Sequence, residues 1–493
     1  MSRGGLSCGV DVCVDIPGDA DRPECIHGPT LLFTRYYADK NPRQFYACSA
    51  CRDRKHCAFF QWADEKASEE KQRVRQQINA MQLQQQQQQL NTSDEKYLAK
   101  LETFKELSSD KQRRFCISCS EVLLPGEWSK HSAHHVKTNV TQQQLTTPTR
   151  LLRPLEDEKT HAQYLFTNET TQFLVEVFRK LRISKVVCIG TPRIHEHIME
   201  CKNLKSFLLD IDHRYAQFFS PDTYQRFNMF NSHFFNGDEG KTHFKEFLTS
   251  GSSNLAFILD PPFGGIAEVL ACTLKSLWSL TASCNAETVE REYPTFWIFP
   301  YFLEGHVTDA LPMFKMLDYK VNYDNHVLYK CSKKRGSPVR LFTNVSSEKV
   351  KLPASEGYRL CRICRRYVAK ENKHCVECNS CTSKDGRTYV HCSQCKTCVK
   401  PGRVHCDTCS HCQPPVHECT HVTPLSGCHI CGQLDHKRKD CPRRLSNLQR
   451  PAKRKSDHSD SHQSPKKKKS TVKKSHKVRK LKAKAKFNKS NRL

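Results

Sequence analysis

At 493 residues with a formal charge of +28, the chain exceeds one ordinary domain and is strongly basic, which predicts one catalytic-size domain with several small modules and a polyanionic partner, nucleic acid. Twenty Lys and Arg fall in residues 443–493 against only Asp457 and Asp460, so the excess sits in a tail where each cation that neutralises a phosphate releases condensed counterions. No secretory apolar segment and no apolar run of membrane-spanning length is present, which predicts a soluble intracellular chain with no membrane partner, in which 28 Cys and 24 His point to metal sites and not to disulfides.

The first module, residues 20–64, sets Cys25-x-His27, Cys48 and Cys57 around Arg43-x-Phe45-Tyr46 and Phe59-Phe60-x-Trp62. Four nitrogen and sulfur donors can close a tetrahedral zinc site. The aromatics beside Arg43 offer a surface on which bases stack, or equally the small core of the module itself. The pattern resembles the GRF-type zinc finger, with Pro42 at the motif's Gly, and this resemblance implies binding of single-stranded nucleic acid.

Residues 65–110 are polar and Gln-rich, with six consecutive Gln, and read as a helical or disordered linker. In residues 111–140, Cys116-x-x-Cys119 is followed by His131 and then His134 or His135. This is the spacing of a two-Cys, two-His finger, and the commoner three-residue interval selects His135.

From residue 160 to 347, apolar strands alternate with helix-like segments, the pattern of an α/β, Rossmann-like parallel sheet. The expected strands are Lys185 to Ile189, Ser206 to Ile211, Leu255 to Leu259, Thr295 to Phe299, Asn325 to Lys330 and Val339 to Thr343. The third ends at Asp260-Pro261-Pro262-Phe263, where two prolines stop the strand and stiffen the turn. In an open α/β sheet the ligand crevice lies beyond the carboxyl ends of the strands, so Asp260 and Phe263 would face it.

That placement suits chemistry on a flat base. An exocyclic amine is a poor nucleophile because its lone pair is delocalised, and acceptors on both N–H bonds aim that lone pair. The Asp260 carboxylate and the Pro261 carbonyl can supply them while Phe263 stacks on a base that has left its helix. Upstream, Gly190-Thr191-Pro192 follows the first strand, and Asp210 and Asp212 end the second, where carboxylates accept from ribose hydroxyls. An ordinary strand-to-loop turn is the plain alternative for D-P-P-F taken alone; the order of glycine turn, acidic strand end and D-P-P-F is what argues against it.

Residues 163–345 resemble the class I methyltransferases of the adenine-N6 type, whose motif [D/N/S]-P-P-[F/Y/W] Asp260 to Phe263 match in full. The resemblance implies S-adenosylmethionine as cofactor, a methyl donor in its own right. Gln163-Tyr164-x-x-Thr167 resembles the segment that wraps the cofactor in related RNA enzymes, and Asn236, after the apolar Phe234 and Phe235, is either the reader of the cofactor's adenine or, equally, plain surface polarity. Gly190-Thr191-Pro192 replaces the G-x-G usual in the first loop.

Residues 358–422 hold Cys361/Cys364, Cys375/Cys378, Cys392/Cys395 and Cys406/Cys409 with His374, His391, His405 and His411. Two or more interleaved zinc sites fit, with the pairing open; a RING-like ligase module is the less favoured reading of so compact a repeat. In residues 426–443, Cys428-x-x-Cys431-Gly-x-x-x-His436-x-x-x-x-Cys441 matches the CCHC knuckle at every spacing, among Lys437, Arg438 and Lys439, and knuckles of this kind bind single-stranded RNA. The Lys-rich tail, residues 444–493, has too little apolar surface to order itself, and Lys466 to Lys469 suggest nuclear import or a plain solvated charge run. Finger, methyltransferase and knuckle in this order resemble a zinc-finger family of ribosomal-RNA adenine-N6 methyltransferases, which implies large-subunit ribosomal RNA as substrate and nucleus and nucleolus as location, with the cytoplasm as a further site. The rival readings are a methyltransferase on another planar amine, such as cytosine N4 or a glutamine amide, and a non-catalytic zinc protein that binds RNA.

Overall fold

The computed structural model describes most of residues 7–444; outside the description lie 1–6, 445–493 and internal stretches, the longest being 14–21, 51–56, 82–93, 156–162, 286–291, 327–336 and 420–427. The Lys-rich tail and its Lys466 to Lys469 run therefore fall outside the described residues. Among the described residues no helix is long and apolar enough to cross a membrane.

The chain opens with a four-stranded antiparallel sheet of β1 (Ser7–Cys13), β2 (Leu31–Tyr37), β3 (Arg43–Ala47) and β4 (Phe60–Trp62), in that spatial order. Next, helix α1 (Asp94–Glu106) occupies what the composition presents as linker. Its Leu101 and Phe104 are buried, with Tyr97 packed against the same core, and it lies against the turn His213–Gln217. Tyr97, Leu101 and Phe104 follow the i, i+4, i+7 spacing of an apolar helix face, a stripe narrow enough to vanish in a polar average. A small sheet follows, with β5 (Arg114–Cys116) between β6 (Glu121–Leu123) and β7 (Val136–Thr138).

The catalytic-size domain is one eight-stranded sheet. Its strands are β8 (Lys185–Ile189), β9 (Lys205–Asp210), β10 (Tyr224–Asn228), β11 (His233–Phe234), β12 (Leu255–Leu259), β13 (Thr295–Pro300), β14 (Lys315–Lys320) and β15 (Val339–Thr343), in spatial order β11-β10-β9-β8-β12-β13-β15-β14. The five central strands are parallel, whereas β11, and β15 between its two neighbours, run antiparallel. The central strands are buried on both faces, which is why they read as unbroken apolar runs. Helices α2 (Asn168–Lys180), α3 (Pro192–Met199), α4 (Gly237–Thr249), α5 (Ala267–Cys284) and α6 (Glu304–Ala310) cover them. Two apolar cores result, one on each face of the sheet.

The sequence-based strands need two corrections. The strand before β15 is β14, ten residues upstream of the expected Asn325 start; Asn325 and His326 are irregular, and the rest of Asn325 to Lys330 lies outside the described residues. Strands β10 and β11 interleave Gln225, Arg226 and His233 with apolar residues and were not separable from loop by composition alone.

After β15 the chain forms a succession of short hairpins. The first, β16 (Tyr358–Cys361) with β17 (Arg366–Ala369), is fixed to the sheet edge by Asp318 of β14, whose carboxylate accepts from Arg366 at 3.3 Å, Ala369 N at 3.0 Å and Asn372 Nδ2 at 2.7 Å. The hairpin covers an otherwise open strand edge.

Because Phe104 is fully buried in the main core, Phe104→Ala should destabilise the folded unit by roughly 3–5 kcal/mol. Chemical denaturation of the variant beside the parent measures this; a difference under about 1 kcal/mol would mean that α1 is only loosely attached.

Candidate active site and metal-ligand clusters

Strand order reverses between β8 and β12, and at such a switch point a crevice opens beyond the carboxyl ends of the paired strands. There lies a cleft of about 750 Å³ including its mouth, whose walls include Gln163, Tyr164, Gly190, Asp210, Asp260 and Phe263. Its lining, mostly apolar with a few convergent polar groups, is that of a small-molecule site. Gly190 turns out of β8 at φ +64°, and a Cβ there would come within 2.9 Å of Met229 Cε and 3.2 Å of the Asp260 carbonyl oxygen. Only glycine meets both demands. One glycine thus serves this turn, with Thr191 as N-cap and Pro192 opening α3.

Asp210 ends β9, and burial followed by the neighbouring Asp212 pushes its carboxyl up to about 7. Asp212 is buried too, but Arg214 grips both its oxygens, at 2.9 and 2.7 Å, and holds it below the usual carboxylate range. Gln163 Nε2 donates to Asp212 at 2.8 Å. The acidic pair therefore divides its work: Asp210 faces the cleft, and Asp212 fixes Gln163.

At the end of β12, the Asp260 backbone N–H donates to Ile189 O at 3.2 Å, and Gly265 N–H closes the turn on Pro262 O at 2.7 Å. Asp260 accepts from the Tyr323 hydroxyl at 2.9 Å. Phe263 is half-buried and stacks on Tyr164, centroids 5.6 Å apart, with His326 stacked on Tyr164 at 4.4 Å. Burial lifts the Asp260 carboxyl well above its ordinary value, and the Tyr323 hydrogen bond opposes that rise.

Two residues expected in the cleft stand elsewhere. Thr167 caps α2, its hydroxyl accepting from Thr170 N at 3.3 Å. Asn236 precedes α4 and donates to Gln225 at 3.1 Å, because the β10–β11 turn carries it past the crevice; the wall on that side is Phe227, Asn228, Met229 and Phe230. Both are caps or near-caps, a role that polar residues before a helix commonly take.

One wall comes from outside the sheet domain. Ala50 of the N-terminal module lines the cleft and packs with Cys25, Cys48 and Ile211, the residue after Asp210. Asn228, fully buried, donates to His27 O and Ser49 Oγ, both at 2.9 Å, and its own oxygen accepts from Phe230 N. Asn231 donates to His27 O and Pro29 O. The loop that walls the cleft thus holds the ligand loop of the finger.

The clusters themselves are well defined. Cys25, His27, Cys48 and Cys57 bring their ligand atoms within 4.8 Å of one another, as a tetrahedral site demands. In the second module the fourth member is His134 and not His135. His131 ends a 3-10 turn and His134 N–H bonds back to His131 O, so residues three apart lie on one side, while His135 points to Arg153 at 3.4 Å.

The hairpin series resolves the pairing. Cys361, Cys364, His374 and Cys381 form one set, Cys375, Cys378, His391 and Cys398 the next, and Cys392, Cys395, His405 and Cys412 the third. In a fourth, Cys406 meets Cys419 at 3.6 Å and Cys409 meets His417 at 3.5 Å. His411 instead points to the Cys409 carbonyl. Cys381, Cys398, Cys412, His417 and Cys419 were missed because a search for C-x-x-C pairs passes over single ligands; the signal was the His directly before each new pair at Cys375, Cys392 and Cys406.

In the knuckle, Cys431 lies 3.3 Å from His436, and Cys428 and Cys441 pack with Ile430 on buried Tyr36 of β2. Arg438, expected as part of a basic surface, is instead paired to Asp11 of β1 and, at 3.0 Å, to Glu268 of α5; Lys437 and Lys439 lie outside the described residues.

Fold and cleft together define a class I methyltransferase sheet with zinc-finger-type modules. The family model described as probable N6-adenine methyltransferase matches residues 157–345, and the GRF zinc finger model matches residues 23–66. The chain is similar to the mouse rRNA N(6)-adenosine-methyltransferase ZCCHC4, 49% identical over 449 residues that cover 89% of this chain and 86% of the mouse protein. The human protein of that name is 46% identical over 449 residues, 88% of this chain and 85% of its own length; that of Xenopus tropicalis is 46% identical over 452 residues, 90% and 91%. The chain belongs to the ZCCHC4 family of methyltransferases.

A ligand whose hydroxyls donate to Asp210 needs the ionised carboxylate. With that carboxyl near 7, affinity should fall as pH is lowered past 7, by up to about tenfold per unit, and Asp210→Asn should bind weakly at every pH. Equilibrium dialysis against S-adenosylhomocysteine across pH measures both; a flat wild-type profile would exclude Asp210 from the contact. Because Ala50 and Ile211 join the first cluster to the cleft, Cys48→Ser should also weaken this binding about tenfold or more, whereas Cys428→Ser should leave it within about twofold. Equal affinities in the two variants would show that the finger does not shape the cleft.

Proposed function

We propose that this protein transfers the methyl group of S-adenosylmethionine to the N6 amine of an adenine in ribosomal RNA, with zinc in its Cys/His clusters. The observation that carries the reading is the D-P-P-F turn at the carboxyl end of β12, facing across one cleft the glycine turn after β8 and the carboxylate of Asp210 after β9. The names of the relatives support the same substrate.

In this reading Asp210 takes the ribose of the cofactor, and Gln163 and Tyr164 close over it. Asp260 and the Pro261 carbonyl accept the two N–H bonds of the target amine, which leaves its lone pair directed at the methyl donor. Phe263 stacks on the base. In the structure its ring faces Tyr164 and His326, so an incoming base takes a place among aromatic rings already arranged as a stack. The cofactor supplies an electrophilic methyl; the chain supplies position, acceptors and a site shielded from water.

Choosing one adenine among many in a large RNA requires contacts outside this cleft. The modules before and after the sheet domain are the readers in this proposal, supported by the partly exposed Phe60 and Trp62 of the GRF-type finger, which meet edge to face, with Arg43 over the Trp62 ring at 4.0 Å. Large-subunit RNA as the target and the nucleolus as the place of action belong to the same proposal and rest on the family resemblance; the Lys466 to Lys469 run supports nuclear import alone.

Purified protein incubated with total RNA and labelled cofactor should yield N6-methyladenosine in the ribosomal fraction, identified by mass analysis of nucleosides. Methylated cytosine, or labelled protein, would redirect the reading to another planar amine. Asp260→Ala should lower the rate at least 10³-fold while cofactor affinity changes by no more than about twofold, and Phe263→Leu should be far slower than Phe263→Tyr. Full activity of Asp260→Ala would remove that residue from the chemistry.

A further inference from the structure

The segment 322–326 is used neither by the sheet nor by the D-P-P-F turn, yet it lies beside both walls of the cleft. It pairs with the strand-like segment 163–167: Phe166 and Tyr323 form an antiparallel bridge, Thr167 N–H donates to Asn322 O at 3.0 Å, and Asp324 N–H donates to Leu165 O at 2.8 Å. Asn325 clasps the same segment, accepting from Leu165 N at 2.8 Å and donating to Gln163 O at 2.7 Å. Arg193 ties the Phe166 carbonyl to Asp324. At the centre of this clasp is Tyr323, buried and stacked on Phe166 with centroids 5.3 Å apart. Its hydroxyl reaches Asp260 Oδ1 at 2.9 Å. Tyr323 is behind the cleft, and Asp260 is in its wall.

We propose that Tyr323 is a positioning residue for methyl transfer: by donating to Oδ1 it fixes the Asp260 carboxylate so that Oδ2 accepts the N–H bond of the target amine. This rests on the adenine-N6 reading above. A carboxylate that can turn about both Cα–Cβ and Cβ–Cγ, facing an open cleft, would otherwise sample orientations in which neither oxygen meets the amine. Two further consequences follow from the chemistry. A neutral carboxylic acid at this place would present a hydrogen to the amine instead of a lone pair, and a hydroxyl donor favours the ionised form. In the transfer, the nitrogen lone pair forms the new N–C bond as the S–C bond of the sulfonium breaks with its electron pair left on sulfur; the nitrogen then gives up the proton that Oδ2 already accepts. Because the clasp also holds Gln163 and Tyr164, one segment sets the position of the acceptor relative to the side of the cleft assigned to the cofactor.

Tyr323→Phe keeps the ring and its stack on Phe166 and removes only the hydroxyl. Under single-turnover conditions with saturating RNA and cofactor, its methylation rate at neutral pH should fall about 10- to 100-fold, the usual worth of a hydrogen bond to a charged group. Dissociation constants for S-adenosylhomocysteine and for RNA should stay within about twofold, and the melting temperature should fall by no more than a few degrees, so that the variant is fully folded at the assay temperature. The acid limb of the rate profile should move to higher pH, so that raising the pH restores part of the lost rate. The other titratable and charged groups around this pair are Tyr164, His326, Asp210, Arg193 and Asp324, the last two already paired. Of these, burial pushes the Asp210 carboxyl up to about 7 and the His326 imidazole below its ordinary value, so His326→Gln and Asp210→Asn profiles accompany the series; the shift must appear with Tyr323→Phe in either background. A Tyr323→Phe enzyme as fast as the parent at every pH overturns the proposal. So does a loss of rate that tracks lost cofactor affinity or lost folding, which would make Tyr323 a core residue only. If the parent protein itself methylates no adenine, the underlying reading fails first, and the two failures are told apart by the parent alone.

Discussion

The amide of Asn228 is the contact on which the working form of the molecule depends. A parallel sheet opens a crevice at its carboxyl edge but has nothing of its own to close it on the side of the outer strands. Here Asn228, at the end of β10, is fully buried and spends both ends of its amide: the NH₂ on His27 O and Ser49 Oγ, the oxygen on Phe230 N. A buried amide satisfied at both ends costs free energy if either partner is withdrawn. Cleft wall and finger are thereby held as one piece, with Ala50 contributed by the finger and Met229 and Phe230 by the sheet domain.

The small modules solve a problem of size. None of them encloses enough apolar surface to fold by burial alone, and convergent thiolate and imidazole ligands replace that burial. The turn that presents each ligand pair has a backbone signature. Ser120, Arg365, Asn379, Lys396 and Ser410 all have positive φ, and each directly follows the second Cys of a C-x-x-C pair. Only Asn among these adopts the left-handed region readily, so the conformation is imposed by closure of the ligand set. The knuckle is anchored differently, through Asp11, a buried carboxylate that Arg438 and Arg444 share. A carboxylate buried to this degree is tolerable only with such partners, which makes β1 the natural seat of the C-terminal module.

The parts that were readable in the sequence are those in which a few adjacent residues specify both shape and chemistry. Lys185 to Ile189 and Leu255 to Leu259 are strands because they are apolar on both faces, and the turns that end them declare themselves by Gly190 and by Pro261-Pro262. The ligand pairs of the modules are visible for the same reason. What stayed hidden depends on partners distant in sequence. Helix α1 is held by three residues in an otherwise polar stretch; Tyr323 gains its meaning only from Asp260, and Ala50 only from Ile211. Choosing His135 over His134 applied the spacing of a helical finger to a site built on a 3-10 turn. The pairing of Arg438 stayed hidden because its carboxylate partners, Asp11 and Glu268, lie far away along the chain. Thr167 and Asn236 have the right chemistry for a ligand but stand where helices need starting.

The hairpin series after the sheet domain has a property that separate fingers lack. His374 belongs to the first ligand set and Cys375 to the second; His391 and Cys392, then His405 and Cys406, repeat the arrangement. A single peptide bond therefore joins each metal site to the next, and no linker lies between them to absorb a disturbance. Such an array behaves as a one-dimensional chain with nearest-neighbour coupling, in which a filled site lowers the ordering entropy of the one beside it. The first hairpin is bonded to Asp318 at the edge of the large sheet, so the coupling starts from a fixed point. With metal in the sets as proposed, the loss of one would remove order from its neighbours as well, and the hairpin bonded to β14 would keep the support of the sheet.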